Sequence, residues 1–227
     1  MRNVPPAEGS SHMSDLTVES ILQDDFEEHS ELQAHHIRRD CECRIVEGPV
    51  DEITSIVDSG GIPIFNLAPN GTDKLGLVAK SFDGSTKYVV IWHRPDDKFA
   101  SAEYSTITTC QLIRLADRLG AIHLREGGAE MCFWMQALCL PTDSQNEATV
   151  PPEVYSNSYA VLIMDSEWLS QPNTDADEEA AYQHVLKLKT DFTALNQARR
   201  LLLIGPLGFH IEVDNIGETD DTSSLKE

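Results

Sequence analysis

Three apolar runs separated by two turn dipeptides constrain this chain more than any other feature. Residues 62–67, 75–82 and 87–93 have the length and apolar content of strands, and Asn70-Gly71 and Asp83-Gly84 stand between them. Asn-Gly and Asp-Gly adopt positive φ readily and favour tight hairpins, so the spacing predicts an antiparallel β-meander. Ahead of it, Val50, Ile53, Ile56 and Val57 recur at helical spacing over residues 50–58, and Gly60-Gly61 stops that helix.

Helical and strand signals alternate after the meander. Leu112, Leu115, Ala116 and Leu119 mark a helix over residues 108–119 with Gly120 as its stop, and residues 121–124 are short enough for a strand. A second helix is expected over residues 129–140, presenting Ala129, Cys132, Phe133, Ala137 and Leu140. Residues 143–158, rich in Ser, Asn and Pro around Pro151-Pro152, read as a surface loop. Residues 159–164 read as a strand or a helix start. The longest helix is expected over residues 177–203, where Ala181, Val185, Leu188, Phe192, Leu195 and Leu202 keep a 3.6-residue period up to Gly205-Pro206. No internal repeat is visible.

Length and composition set the ends. The chain has 227 residues, enough for one large domain with dressed termini, and 41% hydrophobic residues argue against wholesale disorder. Gly9-Ser10-Ser11-His12-Met13 has the look of an expression-tag remnant, so residues 1–13 are set aside. Residues 14–44 read as an acidic arm or a short helix, with a weak helical stripe at Leu16, Ile21, Leu22 and Phe26, and residues 212–227 as an acidic tail expected to be disordered. With 38 acidic and 17 basic residues the net charge is −21, which would repel a phosphate backbone and favours basic or neutral protein partners. Five cysteines, no secretory leader and no apolar run near eighteen residues give the expectation of an intracellular, reduced protein without a membrane span.

The order of elements, together with local sequence, resembles a ribonuclease-H-like 3′-to-5′ exonuclease domain such as that of family A DNA polymerases. Arg44-Ile45-Val46-Glu47 and the helix after it look like the lead-in of that domain, Gly61 to Asn66 its first strand, and residues 75–92 its next two. Residues 124–130 match a stretch that ends in a metal-binding Asp. Residues 162–173 resemble the segment Asp-Thr-Met-Leu-Ala-Ser-Tyr-Leu-Leu-Asn-Pro-Asn. The resemblance, spanning residues 44–203, implies an α/β domain at 45–211 with a ribonuclease-H-like mixed sheet, antiparallel meander first and parallel strands after, flanked by helices.

Two-metal phosphodiester cleavage needs carboxylates to hold and bridge two ions. Where the family has Asp-x-Glu this chain has Asn66-Leu67-Ala68; Glu130 keeps an acid at the second position, Leu162 stands at the third, and Tyr182 to Leu186 ends the last motif on an apolar residue. The resemblance therefore implies a degenerate metal site at Asn66, Ala68, Glu130, Leu162 and Leu186, no catalysis and no cofactor, and a role as a protein-interaction or architectural module in a nucleic-acid-processing assembly. The alternatives are an active Mg²⁺- or Mn²⁺-dependent exonuclease whose ligands are rearranged onto Asp58, Asp73, Asp165 or Asp191, and an acidic interaction protein of unrelated fold that covers a basic surface by imitating phosphate charge.

Other residues carry weaker signals. His35, His36, Cys41 and Cys43 have the donor types of a zinc site, although Cys-x-Cys is tighter than the usual spacing, and a polar arm with ordinary cysteines is the plainer reading. Cys110 or Cys132 beside His93 or His123 would suit nucleophilic catalysis, against packing as small apolar residues. Gly127-Gly128 ahead of a helix would suit a phosphate, against simply admitting the helix. Phe133, Trp134 and Met135 are three successive large apolar residues that a single helix cannot turn to one core. With Trp168 they are candidates for an exposed partner contact.

Overall fold

Every side chain from Tyr88 to Trp92 is buried, and this run organises the domain. A strand buried on both faces needs hydrogen-bonding neighbours on both edges and cover above and below, which is how parallel strands of α/β proteins are housed. The computed structural model describes residues 36–38, 40–69, 75–101, 105–128, 131–139, 150–169, 178–204 and 210–214. In chain order the elements are β1 (Ile45–Glu47), α1 (Val50–Asp58), β2 (Pro63–Pro69), β3 (Leu75–Ser81), β4 (Tyr88–Trp92), β5 (Ala100–Ser101), β6 (Thr106–Thr108) and α2 (Thr109–Arg125). They continue as β7 (Cys132–Met135), α3 (Gln136–Cys139), α4 (Pro152–Ser156), β8 (Ala160–Ile163), α5 (Ser166–Leu169), α6 (Glu178–Asp191), β9 (Arg200–Ile204) and β10 (His210–Asp214).

The main sheet has seven strands in the order β10-β9-β8-β4-β7-β2-β3. Its middle four, β7, β4, β8 and β9, are parallel, and antiparallel strands extend it at both ends. The chain leaves β4 for β7 on one side, then returns past β4 to β8 and β9. Right-handed crossovers running in opposite directions place their helices on opposite faces. This is a mixed α/β sheet flanked by helices, wound doubly about β4. A second sheet of three short antiparallel strands, in the order β1-β6-β5, buries Val46 against Ile107.

Helix α2 shows how the sequence secures these layers. Leu112, Leu115, Leu119 and Ile122 recur every three or four residues and are all buried, together stabilising the packed state by at most about 6–12 kcal/mol at ~1.5–3 kcal/mol each. His123 and Arg125 lie in its last turn, where cations complement the helix dipole, and Gly127 and Gly128, both at positive φ, end it.

Several expectations need correction. Residues 62–67 and 75–82 do form a hairpin, although its Asn70-Gly71 turn lies outside the described residues, but the third run does not continue a meander. Asp83 Oδ1 accepts from the N–H groups of Ser85 and Thr86, each at 2.8 Å, so the turn is real. It delivers the chain to the sheet centre, because an all-buried run gains nothing at an edge. Gly120 does not stop α2, and residues 121–124 are its last turns. Residues 132–135 form a strand within the expected helix at 129–140, and residues 152–156 form a helix with Val154 and Tyr155 buried rather than a surface loop. The expected helix over 177–203 is α6, a 3₁₀ turn at Thr193–Gln197 and then β9, since four successive buried apolar residues suit a central strand. Part of the expected tail, residues 212–214, belongs to β10; the acidic arm before residue 36 and the tail after residue 214 lie outside the described residues. No described helix is long and apolar enough to cross a membrane.

Candidate functional site

Among the described residues matched to a degenerate metal site, Asn66 and Ala68 are not brought together with Leu162. Asn66 and Ala68 lie on β2 and Leu162 on β8, with β7 and β4 between them. Three inter-strand steps separate these strands by about 14 Å, against about 4 Å between ions in a two-metal site. Leu162 is fully buried, Leu186 is half-buried on α6, and Glu130 lies outside the described residues. The Asn66 side-chain oxygen accepts a hydrogen bond from the Cys132 thiol at 2.7 Å. Of the substitute acids, Asp58 and Asp191 are exposed at helix ends, Asp73 lies outside the described residues, and Asp165 is buried in the network below.

The four proposed partner contacts are also corrected. Phe133, Trp134, Met135 and Trp168 are each at most 2% exposed. A strand sends alternate side chains to opposite faces, and β7 has a core on each, so three successive large residues are all accommodated. Gly127-Gly128 closes a helix and precedes a strand, so no helix N-terminus stands there to receive a phosphate. Cys139 is buried, which pushes its thiol well above the usual range, and His123 lies on α2 beside a cavity of about 230 Å³ that Asn66, Leu119 and Met131 also line.

Doubly wound sheets bind ligands where the winding reverses, beyond the carboxyl ends of the strands. Here that crevice lies past β4 and β8, and a network of polar residues from the segments after β4 and β8 and from α6 stands there. Asp165, fully buried, accepts from His184 Nε2 at 2.8 Å, Arg94 Nε at 3.1 Å and the Glu167 N–H at 2.9 Å. Arg94 also reaches Glu167 at 2.9 Å, and the His184 ring stacks on Trp168 with centroids 5.3 Å apart. Asp97 accepts from the N–H groups of Arg94 and Ser166 and from the Ser166 hydroxyl. Burial alone would raise the Asp165 pKa, but the bonds from His184 and Glu167 and the Arg94 charge hold it below the usual carboxylate range. His93 donates from Nδ1 to the Arg94 carbonyl at 2.9 Å and stacks on Phe99, and burial pushes its pKa down.

A second polar cluster lies beside the small sheet. His36, Cys41 and Cys43, from the chain ahead of β1, meet Cys110 at the second residue of α2, and their ligand atoms all lie within 4.8 Å of one another. His36 Nδ1 is 3.3 Å from the Cys43 sulfur and 3.8 Å from that of Cys110. Backbone N–H groups point at two of the sulfurs: Cys110 N–H at Cys43 and Ile37 N–H at Cys110, both at 3.3 Å. Burial would raise the Cys110 pKa, but hydrogen bonds from Thr108, Ile37, Cys43 and His36 bring it down to about 6. Cys43 moves the other way, chiefly by burial. The sequence supplied three of these residues but not Cys110, which lies 67 positions beyond Cys43 and becomes its neighbour only through the pairing of β1 with β6. His35 lies outside the described residues.

Comparison with protein-family models, with curated proteins and with solved structures gives no match for this chain.

Proposed function

We propose that the domain is a non-catalytic protein-interaction module. The observation that carries this reading is the polar network at the crevice: where a doubly wound sheet receives a small ligand, Arg94, Asp165, Glu167 and His184 bond to one another within the chain. A buried carboxylate with three donors already in place serves the fold as it stands. The net charge of −21 gives the partner's chemistry, a protein with a basic docking face drawn in by long-range attraction. An assembly that processes nucleic acid, as the setting for that partner, rests on the sequence resemblance over residues 44–203 alone.

Two measurements on the full chain test the reading. Incubation with single-stranded DNA or RNA and Mg²⁺ or Mn²⁺ should give no hydrolysis above that of the Glu130→Ala variant. Hydrolysis above that control, abolished by Asp165→Asn, would favour the rearranged exonuclease instead. Captured partners should be basic proteins released by raised salt, which screens exposed charges beyond about 10 Å. Salt-indifferent capture would remove the charge argument.

A further inference from the structure

We propose that His36, Cys41, Cys43 and Cys110 form a closed tetrahedral site for one Zn²⁺, which clasps the chain ahead of β1 to the start of α2.

Distances come first. With Zn–S near 2.3 Å and Zn–N near 2.0–2.1 Å, the edges of a tetrahedral site are about 3.8 Å between sulfurs and about 3.6 Å between sulfur and nitrogen. The observed sulfur–nitrogen separations of 3.3 and 3.8 Å bracket that edge, and the upper limit of 4.8 Å over the whole set leaves at most about 1 Å to close. One disulfide would satisfy two of the three sulfurs and leave the third and the imidazole facing it. A single soft cation satisfies all four donors.

The backbone holds half of the site in place. Ile45 faces Thr108 across the β1–β6 ladder, and Thr109 donates from both its N–H and its hydroxyl to the Arg44 carbonyl, each at 2.9 Å. Cys43 and Cys110 therefore lie just past the end of the ladder, two residues before and two after a registered pair. Cys41 and Cys43 lie in the irregular stretch just ahead of β1, and their sulfurs stand within 4.8 Å of each other and of the other two donors, so the tight Cys-x-Cys spacing is workable here. His36 completes the set from five residues upstream.

The surroundings suit bound metal. The N–H groups of Ile37 and Cys110 direct their positive ends at thiolate sulfurs, and Cys110 stands in the first turn of a 17-residue helix, where negative charge is favoured. Zn²⁺ with three thiolates and a neutral imidazole carries one net negative charge. Arg114, one turn along α2 from Cys110 and electrostatically coupled to it, offsets that charge. Three thiolates and an imidazole in tetrahedral array select Zn²⁺ over the oxygen-seeking Mg²⁺ and Ca²⁺. Four protein ligands leave no open position, so the ion is structural.

The test uses the full chain, purified under reducing conditions without added metal. Elemental analysis should find one zinc per chain, and exchange for Co²⁺ should produce thiolate charge-transfer and intense tetrahedral d–d absorption. Cys43→Ser and Cys110→Ser should each cut bound zinc at least about tenfold, whereas Cys139→Ala should keep it. Should a ligand variant fail to fold, the Co²⁺ spectrum of the unaltered chain still decides. Undiminished zinc in the Cys43→Ser, Cys110→Ser double variant, or all five thiols titrating as free with no Co²⁺ charge-transfer band, would overturn the proposal.

Discussion

Replacing Asp165 with Ala should destabilise the domain by about 3–5 kcal/mol, the usual loss when one partner of a buried ion pair is removed. The carboxylate is fully buried and accepts three hydrogen bonds, from His184 at 2.8 Å, Glu167 N–H at 2.9 Å and Arg94 at 3.1 Å. At ~1.5–3 kcal/mol for each bond to a charged group, three lost bonds would total about 4.5–9 kcal/mol. The Arg94 side chain is 26% exposed and keeps its bond to Glu167, so water and that neighbour recover part of its share. Against a typical total of about 5–15 kcal/mol the change is large. Urea unfolding followed by tryptophan fluorescence is a suitable assay, since Trp168 stacks on His184. Asp165→Asn, which keeps the shape and an acceptor, separates charge from packing. Because the folded-state pKa of Asp165 is depressed, its stabilising contribution is present above the unfolded-state value of about 4 and is lost as pH falls through the folded value. The Asn variant should therefore lose less stability than the parent on acidification. A cost below about 1 kcal/mol for Asp165→Ala, with the acid-side slope unchanged in Asp165→Asn, would refute the reasoning.

Gly120→Ala should raise Tm by about 2–4 °C in a thermal melt, because an added Cβ meets nothing within 4 Å and an interior helical glycine costs ~1 kcal/mol relative to alanine. Gly61→Ala should lower stability by about 1–3 kcal/mol in urea, since its Cβ would stand 2.8 Å from Ser81 Oγ, 3.0 Å from Ile56 Cγ2 and 3.2 Å from the Ile56 carbonyl. Restoring acids with Asn66→Asp and Leu162→Asp should create no Mg²⁺-dependent nuclease. The second change buries a charge in a central strand, so a circular-dichroism melt should show loss of more than about 4 kcal/mol. Tyr88→Phe should cost about 0.5–1.5 kcal/mol by urea titration, because its buried hydroxyl donates to the Val154 carbonyl at 2.6 Å.

Local pattern made much of the fold legible. The apolar stripes of α1 and α2 and the β2–β3 pairing follow from periodicity and turn chemistry, while the run at β8 is compatible with a strand or a helix start and only the structure decides for a strand. Errors arose where an apolar run was too short to distinguish a strand buried on two faces from a helix buried on one, as at Cys132–Met135 and Arg200–Ile204. Strand order was less legible, because the turn at Asp83-Gly84 fixes a change of direction but does not fix the neighbour of the next strand. The Phe133-Trp134-Met135 run fits a strand with a core on each face, whereas on a helix the same three residues would leave one exposed. The His/Cys cluster is half legible: donor types in residues 36–43 can be read locally, whereas Cys110 joins them only through pairing between three-residue strands with almost no pattern of their own.

Both polar clusters of this domain tie separate segments of the chain together, Asp165 through ion pairs and, as we propose, the His36-Cys41-Cys43-Cys110 group through a zinc ion. Zinc K-edge X-ray absorption on protein purified without added metal examines that claim at its source. The expected spectrum shows a first shell of three sulfurs at ~2.3 Å and one nitrogen at ~2.0–2.1 Å. A shell of nitrogen and oxygen alone would contradict it.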